Sequence, residues 1–165
     1  MDELYFFYAD HSGCFPGWVD INALRDKLCD HAMTEIDLSF NDLQCEGACI
    51  LRDALLDKDS SWKLTSLRLD AVDLRENGCL AIIPLLTVSP SVLALTHLSI
   101  AKNAIGDSGM ARLIDTLAYN TQLASLNISN NSCSFKTAKA LHHMLSANYA
   151  LKKLDCSYNM IRGQG

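Results

Sequence analysis

The residues of this chain best suited to chemistry are its histidines and cysteines. The five histidines have no cysteine or carboxylate at a spacing typical of a metal site or an activated nucleophile; they are His11, His31, His97, His142 and His143. His142 and His143 are adjacent, so they would point in different directions on a helix. The sequence has no Gly-rich phosphate loop and no His-Glu-x-x-His motif. We therefore expect no catalytic residue, no metal, no cofactor and a protein that is not an enzyme.

The seven cysteines are an odd number, which does not suit a disulfide framework. Cys45 and Cys49 are one helical turn apart, but no second pair completes the spacing of a zinc site. Cys14, Cys133 and Cys156 occupy positions that the repeat described next assigns to buried apolar side chains, where a thiol acts as a small hydrophobe. Reduced thiols in this role indicate the cytoplasm, with the nucleus as an alternative.

An eleven-residue pattern, Leu-x-x-Leu-x-Leu-x-x-Asn-x-Leu, recurs along the chain and indicates how these residues are positioned. Its copies start at residues 33, 64, 95, 123 and 151, and the last copy is incomplete. The starting positions advance by 31, 31, 28 and 28 residues, a period typical of stacked repeat proteins. Residues 33–165 are therefore assigned to repeats.

Each copy predicts one strand followed by one helix. Apolar and polar residues alternate in the middle of the pattern, and helical spacing follows. The predicted strands are Ile36–Leu38, Leu67–Leu69, Leu98–Ile100, Leu126–Ile128 and Leu154–Cys156. Helical crossovers between parallel strands are right-handed, and helices are wider than strands. The fold class is therefore α/β: a right-handed solenoid, or horseshoe, with parallel strands on the concave face and helices on the convex face. Pro84 is expected in the first turn of a helix or at a kink.

The ninth position of the pattern predicts a structural ladder of asparagines: Asn41, Asn103, Asn131 and Asn159. An asparagine amide can satisfy backbone donors and acceptors where the chain turns out of a strand. Val72 interrupts this row. Because valine cannot form these hydrogen bonds, we expect a distorted turn or an ordered water beside Val72.

Residues 1–32 carry a weaker copy of the pattern. Leu4, Phe7, Ala9, Ser12 and Cys14 have the required spacing, and the copy begins 29 residues before Met33. Terminal repeats are often atypical because they cap the stack. Residues 1–32 are therefore interpreted as a degenerate capping repeat, the alternative being a helical extension packed on the first strand.

The variable positions between the leucines predict the partner-binding residues of the concave face. Exposed aromatic and arginine side chains supply much of the affinity of protein interfaces. The predicted contacts are Phe40, Arg68, His97 and Tyr158, together with Glu35, Asp37, Lys102 and Asp155. A simpler interpretation of Arg68 is a solvated charge cluster with the neighbouring acids.

Composition limits the kind of partner. A net charge of -5 does not suit a nucleic-acid-binding protein or one that binds anionic membranes, and no apolar run is long enough to span a bilayer. The expected partner is therefore another protein, with no nucleic acid and no membrane. Residues 161–165 repeat the start of a helix and then end, so we expect further repeats or another chain to cover this end.

Leu95–Gly109 and Leu123–Cys133 resemble the ribonuclease-inhibitor type of leucine-rich repeat. The resemblance covers residues 33–165 well and residues 1–32 weakly. It implies a protein-protein interaction module, an intracellular scaffold or adaptor that binds through the concave face and adjoining loops. Two alternatives follow from the same resemblance. One is a GTPase regulator similar to the Ran GTPase-activating protein, with Arg75 as the residue to test, and the other is a structural component of a cytoskeletal, ciliary or axonemal assembly.

Overall fold

The computed structural model describes residues 34–57, 62–91 and 93–161, together with the backbone of residues 3–5. Six parallel strands form one sheet in the order β1 to β6, so each strand pairs with the next one along the chain. The strands are β1 (Glu3–Tyr5), β2 (Glu35–Asp37), β3 (Ser66–Arg68), β4 (His97–Ser99), β5 (Ser125–Asn127) and β6 (Lys153–Asp155). The five predicted strands are present, each shifted by one residue toward the N terminus.

One helix follows each strand from β2 to β5. These helices are α1 (Gln44–Leu55), α2 (Arg75–Ile82), α3 (Gly106–Leu117) and α4 (Phe135–Ala147). Consecutive helices pack side by side. The alternation of parallel strands and helices confirms the α/β leucine-rich-repeat solenoid. The strands line its inner face because helices need more lateral space than strands.

The helical segment of the second repeat changes form at its proline. Helix α2 ends at Ile82 and continues as a 3-10 turn, Ile83–Leu86, with Pro84 in its first turn. Proline has no N–H to donate and clashes with the preceding turn of an α-helix, so the tighter turn accommodates it. This is the position that the sequence predicted for Pro84.

The predicted alignment of the first copy is wrong. Leu4 was assigned to the first position of the pattern, but β1 pairs Leu4 with Ile36, which occupies the fourth position. The apolar run from Leu4 to Ala9 fits the pattern in more than one register, so spacing alone does not select the observed one. The rest of the predicted capping repeat, residues 6–32, lies outside the described residues.

The core is a continuous column of aliphatic side chains between the sheet and the helices. The middle residue of each strand from β2 to β5 points into it: Ile36, Leu67, Leu98 and Leu126 are at most 4% exposed. The equivalent residue of β6, Leu154, is half-buried. Gly109 allows helix α3 to approach α2 closely, because a Cβ there would lie 3.2 Å from the Glu76 Cα.

Candidate functional site: the strand face and its turns

The asparagine ladder lies in the turns that follow the strands, and Asn131 illustrates its bonding. The Asn131 side-chain amide donates to the carbonyl oxygens of Ile100, Ile128 and Ser129 at 2.9, 3.1 and 3.2 Å. Its oxygen accepts the Asn103 N–H at 3.0 Å. Each such side chain therefore closes its own turn and ties it to the previous repeat. Asn103 and Asn159 bond in the same way, and the Asn41 amide donates to Leu38 and Ser39 of its own turn.

The turn at Val72 keeps the geometry of the other turns, so the predicted distortion is wrong. Ala71 and Asp73 both have φ of 55°, close to the values beside Asn103. The reason is that Asn103 of the next repeat accepts the N–H groups of Val72 at 3.0 Å and Leu74 at 3.2 Å. Asn103 of the following repeat therefore stabilises this turn, although the Val72 side chain forms no hydrogen bond to the preceding repeat. The ordered water remains a prediction.

The inner surface, here called the strand face, consists of the side chains at the third, fifth and eighth positions of each repeat. In order along the chain, the third position holds Glu35, Ser66, His97, Ser125 and Lys153; the fifth holds Asp37, Arg68, Ser99, Asn127 and Asp155; the eighth holds Phe40, Ala71, Lys102, Asn130 and Tyr158. Strand pairing sets the third-position and fifth-position residues side by side in these orders. All eight predicted contact residues therefore lie on one surface.

Arg68 is held by two carboxylates on this face. Its guanidinium lies 3.6 Å from the Asp37 carboxylate and 3.3 Å from that of Asp70. Asp70 is buried and accepts the Ser99 hydroxyl at 2.5 Å and the Ala101 N–H at 2.8 Å. Asp70 thus joins two repeats and fixes one end of the Arg68 side chain, which remains about half exposed. The cluster is an ordered network that also presents a cation.

Two predicted contact residues have a structural role in their own turns. The Asp37 carboxylate accepts the Ser39 N–H at 3.0 Å, and the Asp155 carboxylate accepts the Ser157 N–H at 2.9 Å. Hydrogen bonds from the backbone and side chain of Ser157 lower the pKa of Asp155. Glu35 is exposed, and His97 is exposed with its Nδ1 2.8 Å from the Thr96 hydroxyl.

The aromatic residues of the strand face extend into solvent. Phe40 is 62% exposed and Tyr158 is 86% exposed. The Lys102 ammonium lies 5.8 Å from the centre of the Phe40 ring, which is within cation–π distance. Because these side chains are already exposed, they offer large contact areas to a partner without any rearrangement of the chain.

Among the residues that the structure describes, the thiols and Arg75 show no arrangement that would activate them. Burial raises the pKa of the Cys79 thiol to about 12 and that of Cys133 to about 11, so both are protonated and weakly nucleophilic at neutral pH. Burial and the neighbouring Cys49 raise the pKa of Cys45. Arg75, the residue of interest for GTPase regulation, bonds Asp73 at 2.9 Å.

Sequence reasoning missed a carboxylate that joins two helices. Asp107, in the first turn of α3, accepts the hydroxyls of Ser134 and Thr137 at 2.5 and 2.6 Å and their N–H groups at 2.8 and 3.1 Å. Burial would raise the pKa of Asp107, but these hydrogen bonds outweigh it and lower the value to about 2. The acid of one repeat therefore caps the helix of the next.

A second row of asparagines lies at the C-terminal ends of the helices. Asn120 and Asn148, in the turns that follow helices α3 and α4, accept N–H groups of their own turns. Each also donates to the previous repeat, at Leu86 and Leu117 respectively. Beside this row, Tyr119 and Tyr149 are 84% and 86% exposed and line an open cleft of about 310 Å³. Sequence reasoning did not single out either tyrosine.

Comparison with known proteins agrees with this geometry. A family model described as Leucine Rich repeat matches residues 95–113. Mouse ribonuclease inhibitor is 31% identical over 140 residues, which cover 81% of this chain and 28% of that protein. The chain belongs to the ribonuclease-inhibitor type of leucine-rich-repeat proteins. Pig ribonuclease inhibitor is 30% identical over 139 residues, covering 81% of this chain and 28% of that protein.

The names of a second group of relatives mention further domains besides the leucine-rich repeats. Human NACHT, LRR and PYD domains-containing protein 2 is 30% identical over 149 residues, covering 90% of this chain and 13% of that protein. The chain thus spans between about one eighth and about three tenths of the length of these relatives. Leucine-rich-repeat proteins generally mediate protein–protein interaction. Among the helices described, none is long and apolar enough to cross a membrane.

Proposed function

We propose that this chain is a protein-binding module, the recognition part of an intracellular scaffold or adaptor. It binds a partner protein through the strand face and the adjoining turns. The observation that carries this proposal is that different residues of each strand build the core and face the solvent. The middle residue builds the core, whereas its neighbours face outward and are free to vary in chemistry.

The composition of the strand face supports a protein partner. It combines exposed aromatic rings with an ordered arginine, residue types that are enriched at the centres of protein interfaces. Its charges have both signs, unlike the uniformly basic surface that a nucleic acid requires. The free cysteines of the described region favour a reducing compartment, and we place the interaction in the cytoplasm.

Affinity capture with a matched control tests the proposal. The wild-type chain and a Phe40→Ala/Arg68→Ala/Tyr158→Ala variant are used in parallel to capture partners from cell extract. A control variant, Tyr119→Ala/Tyr149→Ala, removes two aromatic rings of similar exposure on the opposite rim. We expect the first variant to lose specific partners and the control to keep them. Equal recovery by the first variant, or loss only in the control, would contradict the proposal.

A further inference from the structure

The eighth positions of the repeats form a row at the edge where the strands enter their turns. This edge row consists of Phe40, Ala71, Lys102, Asn130 and Tyr158. The N–H groups of its first four members donate to the next repeat at 2.7–3.0 Å, so the spacing of the sheet continues through the row. Adjacent strands lie about 4.8 Å apart, which places the first and last members about 19 Å from each other.

All five members of the edge row have a left-handed backbone, with φ between 52° and 63°. Asparagine tolerates this conformation, whereas phenylalanine, lysine and tyrosine adopt it at a cost. Phe40 and Tyr158 also bury little of their rings within the chain. The fold therefore gains little from an aromatic residue at either position, and Asn130 shows which residue the turn itself accepts best.

Lys102 is the cation at the centre of the row. Within the described part of the chain, no carboxylate lies within 4 Å of its ammonium. The side chain reaches across the small Ala71 toward the Phe40 ring, 5.8 Å away. A carboxylate brought to this point would meet an ammonium that has no carboxylate partner among the described residues.

The charge of the surface around the edge row differs between its two ends. From the third to the tenth position, the repeats starting at 33 and 64 carry five carboxylates and one guanidinium. The three later repeats carry two ammonium groups and one carboxylate over the same positions. Apart from the point that the Lys102 ammonium reaches, negative groups of a partner are therefore more favoured toward Tyr158 than toward the repeats that start at 33 and 64.

We propose that the edge row binds an extended segment of a partner protein that runs across the strands. The segment carries two apolar side chains, one on Phe40 and one on Tyr158, and an acidic side chain between them that pairs with Lys102. Because an extended chain advances about 3.3 Å per residue, the two apolar residues are roughly six residues apart. This inference rests on the proposed protein-binding function and specifies its partner.

Selection from a random peptide library tests this assignment without knowledge of the natural partner. Phage displaying twelve-residue peptides are selected on the immobilised 165-residue chain. Enriched peptides are synthesised with a fluorophore, and their Kd is measured by anisotropy. We expect two apolar residues at about the stated separation with Asp or Glu between them. Lys102→Glu, Phe40→Asn and Tyr158→Asn should each raise the Kd at least tenfold.

The convex surface offers a matched control. Lys139 lies 4.8 Å from the centre of the Phe135 ring on α4, so Lys139→Glu and Phe135→Asn disrupt the same type of pair elsewhere. Both control variants should leave the Kd unchanged. No enriched peptide, peptides without the acidic residue, or equal effects in the control variants would each overturn the inference. If only Arg68→Ala/His97→Ala weakens the peptides, the proposed function stands and the edge-row assignment fails. Insensitivity to both sets of variants contradicts both proposals.

Discussion

The carboxylate that joins α3 to α4 allows a quantitative prediction. Asp107 receives four hydrogen bonds from Ser134 and Thr137, and its pKa falls from 3.8 to about 2. A depression of this size corresponds to roughly 2.4 kcal/mol of stability at about 1.36 kcal/mol per pKa unit. Asp107 is partly exposed, and solvent screening reduces the contribution to about 1.5 kcal/mol. Asp107→Asn should lose about this amount at pH 7, because the uncharged amide keeps only one oxygen that can accept these hydrogen bonds.

The pH dependence of this loss follows from the direction of the pKa shift. The pKa of Asp107 is lower in the folded chain than in the unfolded chain, so folding favours the ionised form. The stabilisation is complete above the unfolded pKa and disappears as the pH falls through the folded one. By pH 3 roughly half of it should be gone. The difference in unfolding free energy between wild type and Asp107→Asn should shrink accordingly.

Urea denaturation followed by far-ultraviolet circular dichroism at pH 7 and pH 3 measures this difference. Comparing each variant with wild type at the same pH removes the effect of other carboxylates. Asp115→Asn, an exposed substitution on the same helix, is the control and should change the unfolding free energy by less than about 0.5 kcal/mol. The reasoning is refuted if Asp107→Asn costs the same at both pH values, or if it costs no more than the control at pH 7.

Three further predictions concern the ladder, the edge row and the thiols. Asn131→Ala should lower the unfolding free energy by about 3 kcal/mol in urea denaturation, because it leaves several buried backbone groups unpaired. Phe40→Asn and Tyr158→Asn should each raise the Tm by about 2 °C in a thermal melt, since asparagine relieves the left-handed backbone. Iodoacetamide at pH 8 should alkylate Cys49 well before the buried Cys79, as measured by mass spectrometry.

Each of these predictions has a comparison that isolates its cause. Asn130→Ala, one residue from the ladder and exposed, should cost far less than Asn131→Ala. A lowered Tm for Tyr158→Asn would mean that the ring contributes to folding. Unfolding in urea should abolish the difference in alkylation between Cys49 and Cys79, and a difference that survives unfolding would contradict burial as its cause.

The fold and the ladder were predictable because their signals lie within one repeat. The spacing of leucines specifies which side chains are buried, and the asparagine follows each strand at a fixed distance. The residues of the strand face could be assigned for the same reason. Strand alternation decides which side chains point outward, whatever their chemistry.

Contacts between repeats were not predictable from these patterns. Asp107 bonds residues 27 and 30 positions further along the chain, and nothing in the spacing of either helix marks the pair. The intact turn at Val72 likewise depends on Asn103 from the next repeat. The alignment of Leu4 failed because its apolar neighbours fit several registers, and only pairing with Ile36 selects one.

The interruption at Val72 has a mechanical consequence. At the other boundaries from residue 64 onward, an asparagine side chain forms hydrogen bonds that connect one repeat to the previous one. The Val72 side chain forms no such hydrogen bonds between the repeats that start at 33 and 64. Under pulling force or partial denaturation, we expect the repeats to separate first at the boundary between the repeats that start at 33 and 64. Amide protons of α1 should then exchange with deuterium earlier than those of α3, and the N-terminal coil would swivel as a separate body while the remainder stays intact.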